Sequence, residues 1–165
     1  MIIDVVDKEN RVISRTERRT VLTHGLNFRT VHVLLFDQND NIVLQRLSPH
    51  HPRSPNRLGS LVAGYLYAQE TYFAAAKRKL REELRVTARI QNIGQLEMPD
   101  EMSRKFVGVF IGRLRQKPVI ADDLIAEVVY LTAPRLDSLV NDSPSAFTPT
   151  FLFVYEHFKR WARNY

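Results

Sequence analysis

The chain has 165 residues, 44% of them hydrophobic and 25% charged, a composition typical of one globular domain spanning residues 1–165. It contains no cysteine, which excludes disulfides and thiolate chemistry, and no apolar run of membrane-spanning length. The formal net charge of +6 favours a polyanionic partner, either a phosphate-rich small molecule or a nucleic acid.

The first 25 residues predict a short hairpin and a brief helix. Residues 2–6 and 11–14 favour two strands joined by a polar turn, and Thr16 is a candidate N-cap for a helix that stops near Gly25. The first seven residues lack the basic, apolar character of a secretion signal, so we expect a cytoplasmic protein. The sequence leaves the oligomeric state open.

Two strands and a long loop are predicted next. Residues 29–36 are apolar and β-rich, and residues 42–46 return as a second strand after a polar turn. His32 lies inside the first strand, where a lone histidine is more often packed than catalytic. Residues 47–59 are too long for a tight turn, and long ordered loops are often functional. The loop residues that we consider for contact with an anion are His50, His51, Arg53 and Arg57.

A glycine turn followed by an amphipathic helix occupies residues 64–86. The helix should bury one stripe of residues at three- and four-residue steps, namely Phe73, Ala76, Leu80 and Leu84. Glu83 then lies at the edge of the stripe and Glu82 further round, with Lys79 between them. Two carboxylates projected toward a glycine turn suit Mg²⁺, although Glu-Glu pairs are also common on solvated helix faces.

Three strands and two helices are expected in the rest of the chain. The strands are predicted at residues 88–97, 105–114 and around 125–131, with a turn or loop at 98–101. A short helix is predicted at 134–140. The last helix should begin at Thr148 as N-cap with Pro149 in the first helical position. The apolar stripe that should pack this helix on the sheet is Phe151, Val154, Tyr155, Phe158 and Ala162.

The stretch 64–86 resembles the Nudix hydrolase signature: glycine, five residues, glutamate, seven residues, then Arg-Glu-aliphatic-any-Glu-Glu-any-Gly-aliphatic. The residues in register with that signature are Gly64, Glu70, Arg78, Leu80, Glu82, Glu83 and Val86. Two positions depart from it, because Lys79 replaces a glutamate and Arg85 replaces a glycine. The order of elements, with a short N-terminal hairpin and a Phe-Thr-Pro sequence near the end, is similar to the isopentenyl diphosphate isomerase-like branch of the superfamily. That similarity covers most of the chain.

The resemblance implies an α/β fold, an α/β/α sandwich with a mixed β-sheet between helices. It also implies hydrolysis of a diphosphate linkage in a nucleoside-diphosphate-type substrate. Mg²⁺, or Mn²⁺ as a substitute, would be held by Glu82 and Glu83, together with the Gly64 carbonyl. Glu70 would pair with Arg78 and hold the loop against the helix, a role that the family assigns to those two positions.

Further residues are candidates for the substrate and for another acidic ligand. The substrate candidates are Arg46, Arg53, Arg57 and Tyr65, the last of which replaces a histidine common in relatives. Leu58-Gly59 stands where such relatives tend to have Trp-Asp. The sequence does not choose among the acidic candidates, which are Glu97, Glu101, Asp122, Asp123 and Glu127.

Lys79 leaves the activity open. Its ammonium could occupy the carboxylates of Glu82 and Glu83, or swing outward on its flexible stem and leave a Mg²⁺ site usable. Arg85 costs about 1 kcal/mol if the residue at that position has a positive φ.

Three other functions compete with hydrolysis of a small substrate. A Nudix-fold binding module for a nucleotide or other polyanion, without catalysis, is the main alternative. An isopentenyl diphosphate isomerase is disfavoured because that chemistry in the family uses a cysteine. An RNA-processing hydrolase is permitted by the basic charge, but no motif supports it.

Overall fold

The computed structural model describes residues 1–120 and 123–165 and contains a mixed sheet with helices on both faces. The strands in chain order are β1 (Ile2–Val6), β2 (Val12–Glu17), β3 (Phe28–Phe36), β4 (Ile42–Leu47), β5 (Leu58–Ser60), β6 (Val62–Tyr65), β7 (Ile90–Asp100), β8 (Ser103–Arg113) and β9 (Ile125–Leu131). The helices are α1 (Arg18–Thr23), α2 (Tyr72–Leu84), α3 (Ala133–Asp142) and α4 (Pro149–Arg163), with a short 3₁₀ turn at Pro144–Ala146.

Strand β3 is the centre of the larger sheet, whose order is β5-β4-β3-β8-β7. It runs parallel to β8 along its whole length and antiparallel to β6 and β4. Strand β9 adds to the sheet by pairing with β4, and β1 and β2 form a separate antiparallel pair. The parallel β3–β8 pair makes the sheet mixed, as predicted.

The two faces of the sheet have separate apolar clusters. On one face, Leu80 and Leu84 of α2 pack with Val31 and Val33 of β3, all of them fully buried. On the other face, Leu34 packs with the buried side of α4 and with α3. Successive residues of a strand point to opposite faces, so the continuous apolar run of β3 supplies both clusters. The predicted α/β/α arrangement is confirmed.

Several predicted boundaries were wrong. Strand β2 continues to Glu17, so Thr16 is a strand residue and does not cap α1. Strand β7 runs through most of the predicted 98–101 loop, because its hairpin with β8 pairs as far as Asp100 with Ser103. The loop predicted at 47–59 ends in β5, which pairs with β4. Pairing with a neighbouring strand decided each boundary.

Helix α2 begins at an unpredicted cap and buries a slightly different stripe. The Thr71 hydroxyl accepts a hydrogen bond from the Ala74 N–H at 3.1 Å. Phe73 is 52% exposed, so its predicted burial was wrong, and Tyr72 packs against the core instead. Tyr72 continues the four-residue steps that lead to Leu84. Arg85 ends the helix in the left-handed region with φ of 54°, as the missing glycine suggested.

Helix α4 begins as predicted. The Thr148 hydroxyl accepts a hydrogen bond from the Phe151 N–H at 3.3 Å, and Pro149 is the first helical residue. Phe151, Val154 and Tyr155 are buried, whereas Ala162 is exposed near the helix end. No helix in residues 1–120 or 123–165 combines the length and the hydrophobicity needed to span a membrane.

Candidate active site

A cavity of about 740 Å³ opens where the loop before β5, the β7–β8 hairpin and the start of α4 approach the end of α2. The charged residues in its described lining are the basic Arg53, Arg57 and Lys105 and the acidic Glu83, Asp100 and Glu101. The β-strand floor includes His32 and Ser60, and the first residues of α4 complete the wall. A concave site with convergent charged groups is a natural place for a small polyanion.

Glu70 and Arg78 form the predicted pair between the loop and α2. Arg78 Nε donates to Glu70 Oε1 and Arg78 Nη2 donates to Glu70 Oε2, both at 2.8 Å. The Tyr67 N–H also donates to Glu70 at 2.8 Å, and the Tyr65 carbonyl accepts from Arg78. Burial raises the pKa of Glu70, but these hydrogen bonds outweigh it and hold the pKa below its ordinary value. The pair therefore joins the loop to the helix.

Lys79 points inward, toward Glu83 and Gly64. Its Nζ lies 2.5 Å from Glu83 Oε1, and both side chains are less than a fifth exposed. A Cβ on Gly64 would lie only 2.6 Å from Lys79 Cε, so the absence of a side chain at Gly64 makes room for the lysine stem. Of the two orientations that the sequence left open for Lys79, the structure has the one that occupies a carboxylate.

Glu82 and Glu83 do not converge on one point. Arg78 Nη1 donates to Glu82 at 3.1 Å, and the Glu82 side chain is 46% exposed, whereas Glu83 lines the cavity. Consecutive helix residues differ by about 100° in direction, which separates the two carboxylates.

As placed, these side chains do not fit a resident Mg²⁺. The ion requires oxygen ligands in near-octahedral geometry, but an ammonium occupies the space between Gly64 and Glu83. Within the described parts of the chain, no three His, Asp or Glu side chains are grouped to hold a metal ion.

A second charged cluster lines the cavity, and two of its members, Asp100 and Lys105, were missed by the sequence analysis. Lys105 Nζ lies 3.3 Å from Asp100 Oδ1 and donates to Thr150 Oγ1 at 2.7 Å. Arg53 reaches both Asp100 at 3.2 Å and Glu101 at 3.1 Å. Burial lowers the pKa of Lys105 and Arg53 lowers it further, while Asp100 opposes the shift. A lysine at the start of an otherwise apolar strand was the sequence signal available.

His32 is a buried neutral group on the floor of the cavity. Its Nδ1 lies 2.9 Å from Ser60 Oγ, and burial together with the charge of Lys105 lowers its pKa to about 3. Packing inside a strand, the role favoured by the sequence, accounts for its burial.

The stability of the protein should therefore decrease in acid through His32. Between its ordinary pKa of about 6.5 and the folded-state value of about 3, the unfolded chain binds a proton that the folded chain does not. The stability associated with neutral His32 is fully present above pH 6.5 and is lost as the pH falls toward 3. The free energy of unfolding decreases over this range by at most about 1.4 kcal/mol per pH unit. The free energy of unfolding should be measured with urea at several pH values between 5 and 7 and plotted against pH. The rise of this free energy with pH should be less steep for His32→Asn than for wild type, and as steep as in wild type for His24→Asn, a control at an exposed histidine. Equal slopes for His32→Asn and wild type would contradict a neutral buried His32.

Of the four residues predicted to contact the substrate, two line the cavity and two do not. Arg53 and Arg57 line the cavity, but Arg46 does not, and its Nε donates to Glu127 Oε1 at 2.6 Å. Tyr65 packs at 5.4 Å between ring centroids against Phe28, outside the lining, but its hydroxyl lies close enough to the lining residue Arg53 that the guanidinium opposes the rise of its pKa caused by burial. Gln45, the residue before Arg46 in β4, does line the cavity. Successive residues of a strand point to opposite faces of the sheet, so Arg46 points away from the cavity.

The remaining candidates divide between the cavity and the surface. Glu101 lines the cavity, whereas Glu97 pairs with Arg104 at 3.2 Å and Asp123 is exposed. Asp122 lies outside the described residues. In the loop before β5, His51 lines the cavity and its Nδ1 accepts the Ser54 N–H at 3.0 Å, while His50 is exposed. The structure thus brings together Glu83, Glu101, Arg53, Arg57 and His51 from the predicted set.

Comparison with known proteins identifies similar chains over nearly the whole length. A family model described as the NUDIX domain matches residues 26–150. The isopentenyl-diphosphate Delta-isomerase 2 of Photorhabdus laumondii is 23% identical over 172 residues, which cover 98% of this chain and 97% of that protein. The uncharacterized Nudix hydrolase YfcD of Escherichia coli K12 is 24% identical over 151 residues, which cover 91% of this chain and 82% of that protein. The crystal structure of DR0079 from Deinococcus radiodurans matches with a TM-score of 0.79 at 23% identity. The match covers 96% of this chain and 99% of the DR0079 chain.

Proposed function

Because the chain belongs to the NUDIX domain family, we propose that it hydrolyses a phosphoric anhydride in a nucleoside-diphosphate-type small molecule bound in the cavity. The observation that carries this proposal is the position of Glu83, which extends from the signature helix into a cavity that is also lined by Arg53, Arg57 and Lys105. A cavity that combines a carboxylate with several cations suits an anionic substrate that must meet water.

The cavity residues have distinct roles in this reaction. Arg53, Arg57 and Lys105 bind and orient the phosphate oxygens. Glu83 orients a water whose oxygen bonds to phosphorus as the P–O bond to the bridging oxygen breaks. The water proton passes through Glu83 to solvent, and two phosphate-bearing products leave.

No step is assigned to a resident Mg²⁺. Proteins of the family generally use a divalent metal, and the resemblance implies Mg²⁺ or Mn²⁺ here. The Lys79–Glu83 and Arg78–Glu82 contacts nevertheless place cations on both of the carboxylates that would bind it. Assays must therefore include each ion and a chelator as separate conditions.

A substrate panel tests the proposed hydrolysis. The panel should contain ADP-ribose and other nucleoside diphosphates linked to a second group, isopentenyl diphosphate and capped RNA, each with Mg²⁺, Mn²⁺ or EDTA. We expect cleavage of at least one nucleoside-diphosphate compound, detected as two products by anion-exchange chromatography. Isomerisation of isopentenyl diphosphate alone, or cleavage of capped RNA alone, would contradict the proposal. Binding without cleavage of any member would favour the alternative.

The alternative is a binding module that recognises a nucleotide or other polyanion without hydrolysis. One observation favours it: both carboxylates of the signature helix already have basic partners. A basic partner at this distance occupies a carboxylate oxygen that would otherwise contact a water or a metal ion.

A further inference from the structure

The described carboxylates that line the cavity all have basic partners. Those pairs are Glu83–Lys79 at 2.5 Å, Asp100–Lys105 at 3.3 Å, Asp100–Arg53 at 3.2 Å and Glu101–Arg53 at 3.1 Å. We propose that the cavity binds the diphosphate of its ligand without a divalent metal ion, and that Lys79 and Lys105 supply the positive charge that a metal would bring. The ligand class in this inference rests on the proposed function.

Lys79 is held where the signature helix meets the cavity. It lies one helical turn before Glu83 on the same side of α2, and its stem passes over Gly64. The ammonium therefore neutralises the one signature carboxylate that lines the cavity. A fixed cation at this position reduces the repulsion between Glu83 and an approaching phosphate, as a bound metal would.

Lys105 supplies a second fixed cation, in the cavity lining. Its side chain is only 12% exposed and is held by Asp100 and by the Thr150 hydroxyl at the start of α4. Both lysines are thus oriented before a ligand arrives, which lowers the entropic cost of binding. Two fixed cations, one in the lining and one on the lining residue Glu83, suit a ligand with adjacent negative groups.

The charge balance of the cavity supports binding without metal. Three basic and three acidic side chains make up its described charged lining, and Lys79 adds a further positive charge behind Glu83. Carboxylates without cations would repel a diphosphate and would need a metal to bridge to it. Here the protein's own side chains already compensate them.

Calorimetric titration tests this inference with methylenediphosphonate, whose P–C–P bridge cannot be hydrolysed. We expect wild-type protein to bind it in EDTA, with a Kd within about 3-fold of the value in Mg²⁺ after subtraction of the ligand–metal heat. Lys79→Met should weaken binding in EDTA by about 10- to 100-fold, the effect expected for loss of one nearby unit charge. Added Mg²⁺ should restore part of that loss, because Glu83 then lacks its ammonium.

Two further variants make the result specific. Lys159→Met removes a partly exposed lysine outside the cavity lining, which pairs with Glu156 at 3.4 Å on α4, and it should bind as wild type does. Lys105→Met should also weaken binding in EDTA by at least about 10-fold, which keeps the test available if Lys79→Met folds poorly.

The possible outcomes separate this inference from the proposed hydrolysis. Wild-type binding that requires Mg²⁺, binding under neither condition, or unchanged binding by both cavity-lysine variants would overturn the inference. Metal-independent binding by a protein that cleaves no member of the substrate panel would support the inference and contradict hydrolysis. Magnesium-dependent binding by a protein that does cleave a member of the panel would overturn the inference and support the proposed hydrolysis.

Discussion

Glu83→Gln is expected to lower the kcat of hydrolysis by at least about 100-fold, the usual effect of removing a group that accepts a proton in the reaction. Glutamine keeps the size of the side chain but removes the charge that faces the cavity. The fold should stay intact, but the thermal midpoint should fall because the largely buried Lys79 ammonium loses its charged partner. Turnover of the best panel substrate, measured with each metal and with EDTA, provides the test.

Two comparison variants separate the role of Glu83 from a general effect of charge. Glu156→Gln breaks a Lys–Glu helix pair on α4, remote from the cavity lining, and should turn over as wild type does. Glu82→Gln should cost much less than Glu83→Gln, since Glu82 is half-exposed and pairs with Arg78. Equal losses at Glu82 and Glu83 would show that the two act together as metal ligands. Wild-type turnover by Glu83→Gln would exclude it from the reaction.

Breaking the Glu70–Arg78 pair is expected to lower the free energy of unfolding by about 2–4 kcal/mol for either single alanine variant. Both side chains are mostly buried, so removing one leaves the other charge without its two-point partner. Arg78→Ala should cost more, because it also removes the hydrogen bonds to Glu82 and the Tyr65 carbonyl. Urea unfolding of both single variants and the double variant measures these costs.

The double variant should cost less than the sum of the single variants by about 1–3 kcal/mol. Glu97 and Arg104 make a suitable control cycle, because they pair at 3.2 Å but are both around half-exposed. Their coupling should lie below about 1 kcal/mol. Additive costs at Glu70 and Arg78 would mean that the loop and helix are not joined by this pair in solution.

Features formed by residues that are close together in the chain, such as helix ends, could be predicted from short sequence patterns. Glu70 and Arg78 are eight residues apart on a turn and its helix, and the resemblance of this segment to the Nudix signature implied that they pair. Thr148 and Pro149 identified the start of α4 because a cap needs only the next three residues. Arg85 has the positive φ that the sequence analysis considered for the position where the signature has glycine.

Pairing between distant strands decided which predicted residues reach the cavity. The sequence predicted Arg46 as a substrate contact and not Gln45, but the pairing of β4 with β9 sets Arg46 opposite Glu127 while Gln45 lines the cavity. The β7–β8 hairpin likewise brings Asp100 and Lys105 to the same wall. A shift of one residue in either strand would reverse these directions.

The sequence by itself determined the signature helix and the start of α4, because periodicity and caps act within one segment of chain. The fold class and the Glu70–Arg78 pair followed from the resemblance of residues 64–86 to the Nudix signature. Only the tertiary structure decided the direction of Lys79, since its stem could extend to solvent or lie over Gly64 with little local difference. Packing of α2 against β6 puts Gly64 beneath Lys79. The same packing directs Glu83 into the cavity and leaves Glu82 outside, because a rigid helix surface can present only one of two adjacent carboxylates to one point.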